Sequence, residues 1–329
     1  MNFADIEGHD RPIMILKRAL ENRTLAHAYL FSGDAGVGKK LTALALAASV
    51  NCADTGPDGA CGRCPSCRKV AAQAHPDVHM LVPDGDEIKI DQIRQIQSEL
   101  SLKPFEGDKK VLIVDGAEQM NQAAANAFLK TLEEPPGDAL LILIAAMPQR
   151  LLSTIRSRCQ EIRFTPLPRR LLAQALVKRR GLPEEDAWLL AALSQGSMGR
   201  GLEMDVAQEK EVRSAVAALW AELPGMNDGD VLALAERFAK DRDRFDRMLE
   251  IGIEHLRDAL VYRQTKDERL LVQSGSGEGP ETEVQSAPLQ RMLADFDLLA
   301  MSRNLLDRRV SAQLVAEHMM FKLARRLER

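Results

Sequence analysis

Four cysteines lie close together in the first part of the chain, at Cys52, Cys61, Cys64 and Cys67, while Cys159 stands alone. Four thiolates at such short spacings suit one tetrahedral zinc ion. Because all four ligand positions are then filled by protein, no position is left for a reactive water. Disulfides and free thiols are the alternatives. The spacing therefore predicts a structural zinc site.

A glycine-rich loop occupies residues 33–40, between an apolar segment and a helical segment. In that setting glycines expose backbone N–H groups to a phosphate, and a lysine at the end of the loop reaches the outer phosphates. The candidate phosphate-binding residues are therefore Gly33, Gly36, Gly38 and Lys39. A glycine-rich turn without a ligand is the alternative, and the strand–loop–helix context argues against it.

The parts that would hold magnesium and activate water are incomplete. The last position of the loop is normally Ser or Thr, but here it is Lys40, which has only donors and cannot ligate a cation. Thr42 falls nearly on the opposite side of the helix. Asp115 ends a predicted strand and is placed to orient magnesium, as in a Walker B element. It is followed by Gly116 instead of a water-activating Glu, and Glu118 is on the wrong step of the turn. We expect a degraded nucleotide site.

Short apolar segments alternate with amphipathic helical segments from residue 28 to about residue 166. This alternation predicts an α/β domain with a parallel sheet covered on both faces. A helix is predicted over residues 121–133, and Asp91 is expected to cap another. The predicted strands cover residues 28–32, 77–82, 110–115, 139–146 and 161–165.

The remainder of the chain shows helical periodicity only. Helices are predicted over residues 169–180 and 184–195, and from about residue 206 onward the pattern is again helical. A run rich in Gly, Ser and Glu, residues 273–285, predicts a mobile loop. Two apolar stripes are predicted to face a core: Phe245, Leu249, Ile253, Leu256 and Leu260 form one, and Leu306, Val310, Leu314 and Phe321 form the other.

Composition limits the classes of function. The chain has 329 residues, which suggests two or three domains, and it carries a net charge of −4 with 4% aromatic residues. A freestanding nucleic-acid binder needs concentrated basic charge or stacking aromatic residues, so any contact with DNA is expected to be shared with partners. No long apolar span indicates a membrane segment, and no export signal is visible, so the cytoplasm is the expected location.

Several runs of residues together resemble the clamp-loader branch of the AAA+ family, the bacterial DNA polymerase III gamma, tau and delta-prime subunits. The runs are residues 27–31 (HAYLF) before the glycine-rich loop, the four-cysteine insertion, residues 126–136 (NAFLKTLEEPP) and residues 157–159 (SRC). The resemblance is strong over about residues 1–205. It implies an AAA+ domain over 1–166 with the zinc module at 52–67, a helical lid over 167–205 and an all-α collar for oligomerisation over 206–329.

The departures from the motor pattern indicate which branch the chain resembles. Gamma-type motors carry a threonine, a catalytic glutamate, a polar sensor and a second-sensor arginine at four positions. This chain has Lys40, Gly116, the apolar pair 145–146 and Gly199 there. Whether Arg200 compensates for Gly199 is left open. These losses resemble the delta-prime subunit, a ring member with no or weak ATPase activity alone.

The resemblance also implies a role and partners. Arg158 would act in trans, as an arginine finger on ATP bound by a neighbouring subunit, although an arginine in this context alone is more often a surface ion pair. The implied partners are gamma or tau, delta, the sliding clamp and primed DNA. An active gamma- or tau-type ATPase is the first alternative, and a zinc-dependent DNA-binding module without a ring is the second. Whether the loop still binds ATP is left open.

Overall fold

The computed structural model describes residues 2–267, 270–271, 288–308 and 310–325. The loop predicted over residues 273–285 lies outside them. The chain divides into two units, one formed by residues 1–180 and 194–202 and the other by residues 181–193 and 203–329. Residues 194–202 of the predicted lid, the lid segment, thus belong to the same unit as the glycine-rich loop. The boundaries of a three-domain division stay a prediction.

The first unit contains a five-stranded parallel sheet in the order β2-β3-β4-β1-β5. The predicted α/β fold is therefore confirmed, with strand ends that differ from the predicted ends by at most two residues. The central strands are buried on both faces, which is why they are continuous apolar runs. The strands are β1 (Ala28–Ser32), β2 (Val78–Leu81), β3 (Val111–Asp115), β4 (Leu140–Ala145) and β5 (Gln160–Arg163).

Helices make up most of the rest of the described chain. None of those described is both long and apolar enough to cross a membrane. In chain order they are α1 (Asp10–Glu21), α2 (Lys39–Val50), α3 (Pro65–Ala71), α4 (Ile90–Leu100), α5 (Gln122–Glu133), α6 (Ser153–Arg156), α7 (Arg169–Arg180), α8 (Glu184–Leu193), α9 (Met198–Glu203), α10 (Val206–Glu222), α11 (Asp228–Lys240), α12 (Arg242–Thr265), α13 (Leu289–Asp307) and α14 (Ala312–Ala324).

Two hydrophobic cores cover the two faces of the sheet. Successive side chains of a strand point to opposite faces, so Tyr29 and Phe31 of β1 join the core that contains α2 and the clustered cysteines. Leu30 of the same strand joins the core under α4 and α5, together with Phe128. This arrangement holds the glycine-rich loop, the end of β3 and the end of β4 at the same edge of the sheet.

The predicted cap of α4 is wrong. The helix begins at Ile90, its N-cap residue is Lys89, and Asp91 lies in the first turn. The backbone N–H of Lys89 donates to Oε1 of Gln92 at 2.9 Å, so a side chain of the first turn satisfies it. An acidic residue in the first turn is favoured by the helix dipole, and it therefore gives nearly the same sequence signal as a cap.

The second unit is helical and has its own core. In the first predicted stripe, Phe245, Leu249 and Leu256 of α12 are buried. Ile253 and Leu260 are partly buried and pack against buried apolar residues. The first stripe therefore faces the interior of this unit, as the periodicity predicts.

The second predicted stripe is wrong in its middle part. Helix α13 ends at Asp307 and α14 begins at Ala312, so the periodicity does not continue from one helix to the other. As a result Val310 is 38% exposed and Leu314 is 63% exposed. The buried face of α14 consists of Val315, Ala316, Met319, Met320, Leu323 and Ala324.

Candidate metal centre and phosphate-loop site

The glycine-rich loop turns sharply between β1 and α2. Gly33, Gly36 and Gly38 have φ angles of 139°, 74° and 112°, in the region that residues with a Cβ rarely adopt. At Gly33 a Cβ would also lie 2.2 Å from the carbonyl oxygen of Phe164. The glycines are therefore required by the shape of the loop itself.

Lys39 is folded back onto its own loop. The residue is 5% exposed, and its Nζ donates to the carbonyl oxygen of Asp34 at 2.6 Å and to that of Gly33. Burial lowers the pKa of Lys39, while the carboxylates of Glu118 and Asp115 oppose that change. The loop's own carbonyl groups thus hold the ammonium that the sequence assigns to a phosphate.

Lys40 forms an ion pair with the candidate magnesium ligand. Its Nζ lies 3.2 Å from Oδ2 of Asp115, with the two side chains 44% and 30% exposed. Thr42 is fully buried, and its hydroxyl donates to the carbonyl oxygen of Gly38 at 3.0 Å, so the hydroxyl is engaged within the helix. The positive charge that faces Asp115 is therefore a lysine ammonium supplied by the chain.

The position of the missing general base, Gly116, and the nearby Glu118 both have structural roles. Gly116 has a φ of 80°, a left-handed conformation that a glutamate would adopt only with strain. The Oε1 atom of Glu118 accepts hydrogen bonds from the backbone N–H groups of Ala146, at 2.7 Å, and Met147, at 3.2 Å. Glu118 therefore joins the turn after β3 to the end of β4.

The lid segment and the residues before α1 both contact the glycine-rich loop directly, and no sequence motif indicates either contact. The backbone N–H of Gly199 donates to the carbonyl oxygen of Gly36 at 2.9 Å. A Cβ at Gly199 would lie 3.2 Å from Cα of Gly36, so this close approach favours glycine. At the other end of the loop, Nε2 of His9 hydrogen-bonds the carbonyl oxygen of Val37 at 2.6 Å. Arg200 is exposed to solvent.

The four clustered cysteines converge to one point. Their sulfur atoms all lie within 4.8 Å of one another. The Sγ of Cys52 is 4.0 Å from that of Cys64 and 3.5 Å from that of Cys67, and the Sγ atoms of Cys61 and Cys67 are 3.9 Å apart. A tetrahedral ion bound by thiolates at about 2.3 Å needs sulfur separations of about 3.8 Å. The cluster therefore fits one metal ion with four sulfur ligands.

The backbone around the cluster favours thiolates. The N–H groups of Cys61, Cys64 and Cys67 each donate to the sulfur of the preceding cysteine, at 3.2, 3.4 and 3.4 Å. The backbone N–H groups of Arg63 and Cys64 lower the pKa of the Cys61 thiol to about 6. Burial raises the pKa of Cys67, and a bound cation would favour its thiolate instead.

A buried histidine links the cysteine cluster to the sheet, and sequence reasoning missed this role. Nδ1 of His75 accepts from the backbone N–H of Asp77 at 3.1 Å. The hydrogen-bond pattern therefore assigns the proton to Nε2, which donates to the hydroxyl of Ser66 at 3.1 Å. Because Ser66 lies between two of the clustered cysteines, His75 fixes their turn against the start of β2.

Asp77 extends the same network to the loop that follows α4. The residue is fully buried, and its Oδ1 accepts the backbone N–H of Phe105 at 2.7 Å. Its Oδ2 accepts the N–H groups of Glu106, at 2.9 Å, and Gly107, at 2.8 Å. Burial alone would raise the pKa of Asp77, but these three donors lower it. The carboxylate therefore organises the loop as an anion.

Arg158 follows α6 and is held by two oxygen atoms. Its Nη2 lies 2.7 Å from Oε1 of Glu133, the last residue of α5, and its Nη1 donates to the carbonyl oxygen of Thr154 at 2.9 Å. The arginine side chain is 36% exposed and that of the glutamate is 50% exposed. The guanidinium is thus fixed at a partly solvent-accessible position of the first unit.

Comparison with known proteins decides the family. A family model described as "DNA polymerase III, delta subunit" matches residues 8–168. DNA polymerase III subunit delta' of Bacillus subtilis is 34% identical over 271 residues, which are 81% of this chain and 82% of that protein. The chain belongs to the DNA polymerase III delta' family. The delta' subunit of Pseudomonas aeruginosa is 44% identical over 177 residues, covering 52% of this chain and 53% of that protein.

A tau subunit is also among the relatives of this delta' family member. The tau subunit of Bacillus subtilis is 28% identical over 287 residues, covering 79% of this chain and 50% of that protein. The segment matched by the family model contains the glycine-rich loop, the four cysteines, Asp115 and Arg158. The candidate sites, apart from the contact at Gly199, therefore lie in the part of the chain that the family model matches.

Proposed function

We propose that this chain is a clamp-loader subunit that does not itself hydrolyse ATP and that assists hydrolysis by a neighbouring subunit. Its partners in the ring would be gamma- or tau-type and delta-type subunits, and the ring would place a sliding clamp on primed DNA in the cytoplasm. The subunit's own contribution is a fixed scaffold and one arginine.

The ion pair between Lys40 and Asp115 carries the first half of the proposal. Magnesium at this position would have to displace an ammonium that lies 3.2 Å from the carboxylate, and the hydroxyl of Thr42 is engaged by its own helix. Phosphoryl transfer depends on magnesium to neutralise charge on the phosphates. The missing metal ligand and the glycine after Asp115 therefore support a chain with background ATPase activity alone.

Arg158 carries the second half. Phosphoryl transfer builds charge on the transferred group, and an arginine from another protein stabilises that charge, with rate effects of about 10³ to 10⁵. The guanidinium is accessible enough to reach such a partner, and it forms a planar fork that a lysine cannot reproduce. We expect Arg158 to face the ATP of the next subunit.

The cysteine cluster would hold one structural zinc ion. Four sulfur atoms at mutual distances suited to a tetrahedron leave no ligand position for substrate. When bound, the ion would cross-link the segment after α2 to the first turn of α3. The contribution of the site is therefore to stability.

The test is the ATPase rate of the reconstituted, DNA-stimulated ring. Arg158→Ala should leave assembly unchanged by native mass spectrometry and sharply reduce hydrolysis at the site it faces. Arg156→Ala, at an exposed arginine in the last turn of α6, is the matched control and should leave the rate unchanged. The isolated chain should show only background turnover. Equal rates in wild-type and Arg158→Ala rings, or ordinary motor rates for the isolated chain, would contradict the proposal.

A further inference from the structure

Of two sequence runs on which the resemblance to the clamp-loader branch rests, only one has a role in the proposed function. The run at residues 157–159 supplies Arg158, whereas the run at residues 126–136, with its two consecutive glutamates, has none. In the folded chain the two runs meet. Oε1 of Glu133 lies 2.7 Å from Nη2 of Arg158, so the end of α5 contacts the arginine directly.

The geometry gives the two oxygen partners of Arg158 different characters. The carbonyl oxygen of Thr154, which accepts from Nη1 at 2.9 Å, belongs to the adjoining short helix, four residues before the arginine. The carboxylate of Glu133 comes from another element and accepts from Nη2, the other end of the fork. One nitrogen is therefore anchored locally, while the second is bound by a group that another anion can replace.

We propose that Glu133 is a positioning residue for Arg158. Its carboxylate holds and neutralises the guanidinium until a phosphate of the ATP bound by the neighbouring subunit takes the place of the carboxylate. The inference rests on the proposed role of Arg158. A triphosphate carries several negative charges and presents them to the same planar donor set, so it competes with a single carboxylate. The arginine keeps its contact with Thr154 and exchanges only the partner of Nη2.

The exposure of the pair sets the size of the effect. With side chains 36% and 50% exposed, the pair is screened by water. Ion pairs of this kind change an equilibrium constant by about 1.5- to 5-fold. Glu133 therefore weakens the binding of phosphate to Arg158 modestly and does not block it. Removing its charge should let Arg158 bind phosphate more readily and leave the side chain less fixed in the free chain.

The experiment compares rings that contain wild-type chain or Glu133→Gln, at equal assembly. Glutamine keeps the size of the side chain and one acceptor oxygen. We expect the KM for ATP of the DNA-stimulated ring to fall by about 1.5- to 5-fold, with a smaller change in kcat. Glu134→Gln is the matched control, because Glu134 forms no ion pair within the part of the chain that the structure describes, and it should leave KM unchanged.

A double-mutant cycle separates positioning from a structural effect. In the Arg158→Ala background, Glu133→Gln should no longer shift KM, since the group on which it acts is gone. An unchanged KM in the single variant, or the same shift in both backgrounds, would overturn the inference while the role of Arg158 stands. If Arg158→Ala itself leaves hydrolysis unchanged, the proposed function fails and the inference fails with it.

Discussion

Replacing Asp77 by asparagine should loosen the loop that follows α4 without unfolding the chain. The wild-type carboxylate accepts three backbone N–H groups, one on Oδ1 and two on Oδ2. Asparagine has one oxygen, so it can satisfy two of these donors as a neutral acceptor, and its amide then faces the third. Hydrogen bonds to a charged group contribute about 1.5–3 kcal/mol each, so losing one and weakening two should cost about 2–4 kcal/mol.

The assay is amide hydrogen exchange measured peptide by peptide. A local loss of about 2–4 kcal/mol raises the exchange rates of the segment by roughly 30- to 1,000-fold, because each 1.4 kcal/mol is a factor of ten. The effect should appear in peptides covering residues 101–110 and not in peptides from α11. Asp138→Asn is the control, since the Asp138 side chain is 83% exposed and contacts the same segment through a surface ion pair with Lys109.

The pH dependence gives a second check. The pKa of Asp77 is lowered in the folded chain, so its contribution is fully present above the unfolded value of 3.8 and is lost as the pH falls through the folded pKa. The difference between wild type and Asp77→Asn should therefore be constant near neutral pH and shrink below about pH 4. Equal exchange of residues 101–110 in the two proteins at neutral pH would refute the reasoning.

Two further substitutions test the cysteine cluster and the end of β3. In Cys64→Ser, metal analysis should find well below one zinc ion per chain, and the melting temperature should fall. The circular dichroism signal of the sheet should remain. Full zinc content in this variant would count against a four-cysteine site. Gly116→Glu should lower the free energy of unfolding in urea by about 1–2 kcal/mol, because residue 116 has a φ of 80°. The variant should gain no ATPase activity. Turnover at motor-like rates would show that only the carboxylate was missing.

The sequence predicts well those features that repeat along the chain or depend on residue type. Both ends of strand β1 are predicted correctly, because an apolar run between polar turns has few other structures open to it. The convergence of the cysteines follows from their spacing. The prediction that Val310 and Leu314 face a core was wrong, because the periodicity assumes one continuous helix and the chain there forms two.

Contacts made by backbone atoms or by long side chains left no signal in the sequence. The N–H that Gly199 donates to Gly36 is a backbone group that every residue except proline has, so no motif specifies the hydrogen bond, although the close approach favours glycine at this position. The pairing of Lys40 with Asp115 depends on the strand order, which places β3 and β1 on either side of β4. The residue type alone indicates that Lys40 cannot bind magnesium, but not that its ammonium forms an ion pair with Asp115.

The hydrogen bond between Gly36 and Gly199 joins the glycine-rich loop to the lid segment through backbone atoms alone. A contact between two segments that is bridged by a small molecule gains stability in proportion to the logarithm of the ligand concentration, so it weakens when that ligand becomes scarce. Here the bridge is a backbone N–H and a carbonyl group 2.9 Å apart, and its strength contains no concentration term. This contact between the loop and the lid segment therefore does not itself depend on the concentration of a ligand.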